Sequence, residues 1–140
     1  MYFNKNIPEL DVTNLNKSIA FYKTCGFSIE YERKEDKFVF LSLGEIQFML
    51  QEITLDNKWE TGKLEYPFGR GVNFQLEVDD VNNIYDNLLI NQYPIMVEME
   101  ENWYRQDDKL LGSKEFLVQD PDGYLLRFSE DLGSKEIKEV

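Results

Sequence analysis

The order in which apolar periodicity changes along the chain limits its fold more than any single residue does. Helical spacing occurs twice: Leu15, Ile19 and Tyr22, widened by Phe21 and Cys25, and then Val81, Ile84, Tyr85 and Leu88. Thr13 or Asn14 can cap the first helix, which Gly26 ends. Asp79 or Asp80 can cap the second, and Pro94 lies beyond its end. One strand-like segment precedes each helix (residues 7–12 and 72–78) and three follow it. Those following are 27–32, 38–43 and 46–53 in the first case, and 95–100, 115–119 and 124–129 in the second. Gly44-Glu45 and Asp120-Pro121-Asp122-Gly123 mark tight turns within the two sets. The element order is therefore βαβββ, twice. Leu10-Asp11-Val12 with Leu15-Asn16 is matched by Leu76-Glu77-Val78 with Val81-Asn82, which favours an internal duplication. The expected fold is α+β, with two βαβββ modules forming an open, curved mixed sheet. Residues 1–140 are expected to form a single domain: module one about 5–53, a linker 54–71, module two about 72–131 and a charged tail 132–140.

Strand alternation separates two faces. Leu10, Val12, Ile46, Phe48, Leu50, Phe74, Leu76, Val78, Leu126 and Phe128 share the parity expected beneath the helices. The other parity carries Glu9, Asp11, Gln47, Met49, Gln51, Asn73, Gln75, Glu77, Arg127 and Ser129. Such a polar face can be plain solvent exposure. Eight strands and a duplication favour a curved sheet around a wet cleft.

Composition removes several classes of chemistry. The sequence contains no histidine, so Ser-His-Asp and Cys-His nucleophile systems and imidazole metal sites are impossible. A lone cysteine, Cys25, excludes an internal disulfide and fits a reducing cytoplasm; on the apolar side of helix one it reads as a buried, inert thiol. A net charge of −12 opposes binding to nucleic acid or an anionic membrane and suits a cationic small molecule. No apolar run suits a signal peptide or a membrane span, so the chain is expected to be cytoplasmic.

Three segments carry a family resemblance. The run Ile7-Pro8-Glu9-Leu10-Asp11-Val12, followed by Leu15, Ser18, Phe21-Tyr22 and Gly26-Phe27, resembles the opening of the glyoxalase/bleomycin resistance (vicinal oxygen chelate) superfamily. Gly69-Arg70-Gly71-Val72-Asn73-Phe74 with Glu77-Val78-Asp79-Asp80-Val81 is similar to the start of its second module. The most specific part, Glu115-Phe116-Leu117-Val118-Gln119-Asp120-Pro121-Asp122-Gly123-Tyr124-Leu125-Leu126-Arg127-Phe128, resembles its closing hairpin. The likeness spans about residues 5–131 and is closest in character to the bleomycin resistance branch.

The resemblance implies paired modules, each half of an open barrel, and a homodimer with sites near the subunit interface. Enzymes of the superfamily hold a divalent metal with His and Glu on the first, fourth, fifth and eighth strands. Matched by motif, those positions fall near Ile7, Met49, Asn73 and Arg127, which do not suit a hard cation. The expectation is therefore no metal, no cofactor and no catalytic residue. What the resemblance then implies is a metal-free drug-binding protein of antibiotic-resistance type. It would sequester a cationic, aromatic, bleomycin-like ligand in a dimer groove. The alternative is a glyoxalase- or dioxygenase-like lyase, or another enzyme, using a divalent metal or the inner-face carboxylates Glu9, Asp11 and Glu77.

The candidate ligand-binding residues are Glu9, Phe38, Met49, Trp59, Asn73, Gln75, Trp103, Tyr104 and Arg127. Trp103 and Tyr104 lie in the polar segment 101–108, expected as a loop, where Trp103 serves either as a stacking wall or as a loop anchor. Trp59 reads mainly as an anchor for the linker, and Phe38, with Phe40, by default as core. Arg127, mid-strand on a polar face, needs a carboxylate such as Glu9 or Glu77, or else grips an anionic ligand group.

Overall fold

The computed structural model describes residues 2–55 and 59–137; parts of the expected linker (56–58) and tail (138–140) lie outside the described residues. The elements are β1 (Glu9–Val12), α1 (Leu15–Thr24), β2 (Ser28–Arg33), β3 (Phe38–Leu43), β4 (Ile46–Glu52), β5 (Asn73–Glu77), α2 (Val81–Ile90), β6 (Ile95–Gln106), β7 (Lys109–Gln119) and β8 (Leu125–Glu136). This is βαβββ repeated. They form two four-stranded mixed sheets, ordered β1-β4-β3-β2 and β5-β8-β7-β6. In each, the strand before the helix pairs in parallel with the last strand and the remaining pairs are antiparallel. The chain divides into two compact units, Met1–Arg70 with Asp120–Tyr124, and Gly71–Gln119 with Leu125–Val140. Among the described residues no helix is long and apolar enough to cross a membrane.

The duplication extends to how each helix begins. Asn14 Oδ1 accepts the Lys17 N–H at 3.0 Å, and Asp80 Oδ1 accepts the Asn83 N–H at 3.2 Å. A glutamate of the unit's last strand then takes the first helical N–H. Glu52 accepts from Leu15 in unit one and Glu130 from Val81 in unit two, each at 3.1 Å. Leu15's N–H, followed by the Lys37 ammonium 3.0 Å away, holds the Glu52 carboxyl below its ordinary pKa.

The helix-facing parity is the buried one, as alternation requires. Leu10, Val12, Phe48, Leu50, Leu76, Leu126 and Phe128 are buried. Under α1, Phe27 stacks on Phe48 with centroids 5.8 Å apart; under α2, Phe116 stacks on Phe128 at 5.5 Å. Cys25 is fully buried, and that burial pushes its thiol pKa up.

The turn between β7 and β8 belongs to unit one and is built into it. Tyr22 Oη donates to Asp120 Oδ2 at 2.7 Å, while Asp120 Oδ1 accepts the N–H groups of Asp122 and Tyr124. Thr13 donates from both N–H and Oγ1 to Asp122, and Tyr124 Oη donates to the Asp11 carbonyl at 2.9 Å. Gly123, at φ +96°, lies where a Cβ would meet Pro67 Cβ at 2.5 Å. The most family-like stretch of sequence is thus a structural clip.

Two expectations change. Residues 101–106 are not a loop: β6 runs to Gln106 and turns at Asp107-Asp108 into β7, so Trp103 and Tyr104 stand on a strand. The tail does not begin at 132, because β8 continues to Glu136, pairing Ser134 with Leu111 and Glu136 with Lys109. Polar composition misled here, since an antiparallel ribbon satisfies its backbone whatever its side chains.

Candidate functional site

Register brings side chains of unit two together in rows on the sheet face turned away from α2. One row reads Gln75, Arg127, Leu117 and Val97; the next reads Glu77, Ser129, Glu115 and Glu100. Asn102 and Tyr104 extend the second row along β6, opposite Ser113 and Leu111. Glu100 and Glu115 face each other directly, an arrangement that destabilises a sheet unless bridged. Asn102 Nδ2 is the bridge, donating to both carboxylates at 3.0 and 3.1 Å.

Glu115 is 3% exposed and anchors this network. It accepts hydrogen bonds from Tyr104 Oη, Asn102 Nδ2 and Ser113 Oγ. Burial alone would push its carboxyl pKa up. The three donors, with the charge of Arg127, outweigh that and hold it below the usual range. The same bond to Glu115, then burial, raises the Tyr104 hydroxyl. Arg127 Nη2 donates to Gln75 Oε1 at 3.0 Å. The carboxylate that shifts with Arg127 is Glu115, whereas the expected partner Glu77 makes no ion pair with it among the described residues. Arg127 Nε and Ser129 Oγ are buried on this face with no hydrogen-bond partner among the described residues.

The structure thus gathers Gln75, Tyr104 and Arg127 from the expected set, with Asn73 exposed at the start of β5. Trp103 is not among them. Strand alternation turns it to the opposite face from Tyr104, where its ring covers Gly112 and Lys135 Nζ sits 3.8 Å from the ring centroid. Glu115 was missed by sequence reasoning. Its signal was available: in 115–119 it shares the parity of Leu117, opposite that of the buried Phe116 and Val118.

In unit one the corresponding row reads Glu9, Met49, Phe40 and Tyr31. Tyr31 stacks on Phe40 with centroids 5.3 Å apart, and Phe3 meets Phe40 edge-on at 5.4 Å. Phe38 is buried, its ring 3.9 Å from the Arg33 guanidinium carbon. Trp59 is 70% exposed. A recess of about 420 Å³ at the β3–β4 end is lined by Tyr2, Asn4, Glu30, Ser42, Glu45 and Gln47, among others.

The four residues at which the family resemblance places metal ligands do not suit that role. Ile7 has no donor atom, Met49 offers a thioether, Asn73 a neutral amide, and Arg127 a guanidinium bonded to Gln75. Among the described residues no group of three or more His, Cys, Asp or Glu side chains is placed to hold a metal ion.

No protein-family model and no curated protein matches the chain. Solved structures do. A glyoxalase/bleomycin resistance protein/dioxygenase superfamily member from Vibrio splendidus is 34% identical over 89% of this chain and 95% of its own, with a TM-score of 0.41. Kinship with it rests on sequence identity, not on the superposition. A glyoxalase/bleomycin resistance protein/dioxygenase from Alicyclobacillus acidocaldarius shares the fold at TM-score 0.62, with 17% identity and 92% of each chain covered. A lactoylglutathione lyase from Agrobacterium tumefaciens does so at 0.58, with 17% identity, covering 89% of this chain and 90% of its own.

Proposed function

The chain belongs to the glyoxalase/bleomycin resistance protein/dioxygenase superfamily, and from that premise we propose that it binds a small organic molecule without a metal. One observation carries the reading. The positions at which the resemblance places metal ligands are filled by Ile7, Met49, Asn73 and Arg127, while unit two keeps a half-buried polar network on its sheet face turned away from α2. A sheet face that merely met water would have no need of a buried Glu115 held by three donors.

The ligand we propose is cationic and partly aromatic, of the bleomycin type, which a protein of net charge −12 attracts. Binding is stoichiometric sequestration in the cytoplasm by a homodimer, and protection follows when the protein outnumbers the drug and release is slow. Titration calorimetry with metal-free and copper-loaded bleomycin tests this. Binding in the micromolar range or tighter is expected. An absence of heat at high micromolar concentration overturns the drug assignment, and divalent metal at one equivalent in chelator-free protein overturns the metal-free reading.

A further inference from the structure

We infer that the row Glu77–Ser129–Glu115 on unit two is the seat of a primary ammonium group carried by an organic ligand, with the Ser129 hydroxyl as its innermost acceptor. The inference rests on the binding reading above and names the ligand's class and its seat.

Register places Ser129 between Glu77 on β5 and Glu115 on β7. Ser129 is 2% exposed and its Oγ has no partner among the described residues, although a buried hydroxyl left unmatched is destabilising. By strand parity its side chain points to the polar face, together with both carboxylates. The Glu77 side chain is exposed on an edge strand and makes no hydrogen bond or ion pair among the described residues. Glu115 Oε1 already accepts from Tyr104 and Asn102, but Oε2 accepts only from Ser113 and keeps a free lone pair. Three acceptors therefore lie in one row, and among the described residues no ion pair joins a cation to any of them, although the charge of Arg127 reaches Glu115.

The nearby guanidinium acts on Glu115 through its charge but donates its Nη2 to Gln75 in the adjacent row, and Ser129 Oγ accepts nothing from it. A primary ammonium, with three N–H donors, matches three acceptors of which two are charged. A bare divalent ion does not, since these residues offer no chelating set.

The test is an amide-resolved NMR titration of the intact protein with phenethylammonium chloride, and with 2-phenylethanol as the uncharged control. Saturable shifts centred on Glu77, Glu115 and Ser129 are expected with the amine. Phenylethanol should bind at least about tenfold more weakly. Ser129→Ala and the exposed Glu77→Gln should each weaken the amine by about tenfold, while Glu30→Gln in unit one leaves it unchanged. Failure of the amine to bind, equal affinity for the alcohol, or undiminished affinity in both seat variants overturns the inference. The two readings fail separately. Bleomycin binding that survives both seat variants removes the seat and keeps the drug, whereas amine binding without bleomycin binding removes the drug and keeps the seat.

Discussion

The two units share a plan on the side of each sheet that meets the helix and differ on the other. Both helices start with an Asn or Asp cap and a glutamate from the last strand, and both cover a stacked phenylalanine pair. On the opposite face, the registered pair Glu9 and Met49 of unit one corresponds to Gln75 and Arg127 of unit two. The rows continue into Phe40 and Tyr31 in one case, and run beside Glu115 and Glu100 in the other. A helix-facing surface must be apolar and close-packed, so a duplicated unit has little freedom to change it. The other surface is where the copies acquired different chemistry: aromatic in unit one, charged and hydrogen-bonded in unit two.

If that contrast is right, damage to the shared side costs both units alike. Phe48→Ala and Phe128→Ala each remove a fully buried ring from a stacked pair, at an expected cost of about 3–5 kcal/mol in denaturant unfolding. A loss below about 1 kcal/mol in one variant alone would show that the two cores are not equivalent.

The turns between each unit's last two strands sharpen the comparison. Among the described residues nothing lies within 4 Å of where a Cβ on Gly44 would stand, whereas at Gly123 a Cβ would stand 2.6 Å from Pro67 Cα. Both have positive φ, so Gly44→Ala should cost about 1–2 kcal/mol from backbone conformation alone. Gly123→Ala adds overpacking and should cost about 2–4 kcal/mol. Equal costs would mean that the Asp120–Tyr124 clip yields freely.

The same clip has a pH signature. Burial raises the Asp120 carboxyl to about 6 in the folded protein, against the hydrogen bonds from Tyr22, Tyr124 and Asp122 that favour its charge. Between about pH 4 and 6 the folded state holds a proton that the unfolded chain has released, so stability from this group falls as pH rises through that window. The loss is on the order of 2–3 kcal/mol and is complete above the folded pKa. Asp120→Asn should flatten the slope of unfolding free energy across this window; an unchanged slope would place the titration elsewhere.

The element order, both helix caps and the buried parity were legible because each depends on local spacing. The gathered site was less so. Parity puts Gln75 and Arg127 on one face from the sequence alone but gives Tyr104 none, because residues 101–108 carry no apolar alternation and read as a loop. Their strand exists through backbone pairing with β7. Glu115 escaped notice because its role comes from Asn102, Ser113 and Tyr104, two of which lie on another strand. Register is a property of pairs of segments, and a single sequence shows one segment at a time. The face of Trp103 escapes the sequence for the same reason, since only its place on a strand fixes it.

The smallest expected effect separates Trp103 as a structural ring from Trp103 as a ligand wall. Its ring lies over Gly112, where any side chain would clash, and takes an exposed lysine, Lys135, on its face. Such an exposed cation–π contact contributes about 0.5–1 kcal/mol, so Lys135→Met should lower stability by that much or less. Because Trp103 is turned away from the face bearing Arg127 and Glu115, Trp103→Phe should leave ligand affinity within about twofold, a change worth less than about 0.5 kcal/mol. A tenfold loss would mean that the ligand wraps around the β6–β7 ribbon to its far side, and the polar face of unit two would then be only part of the surface that binds it.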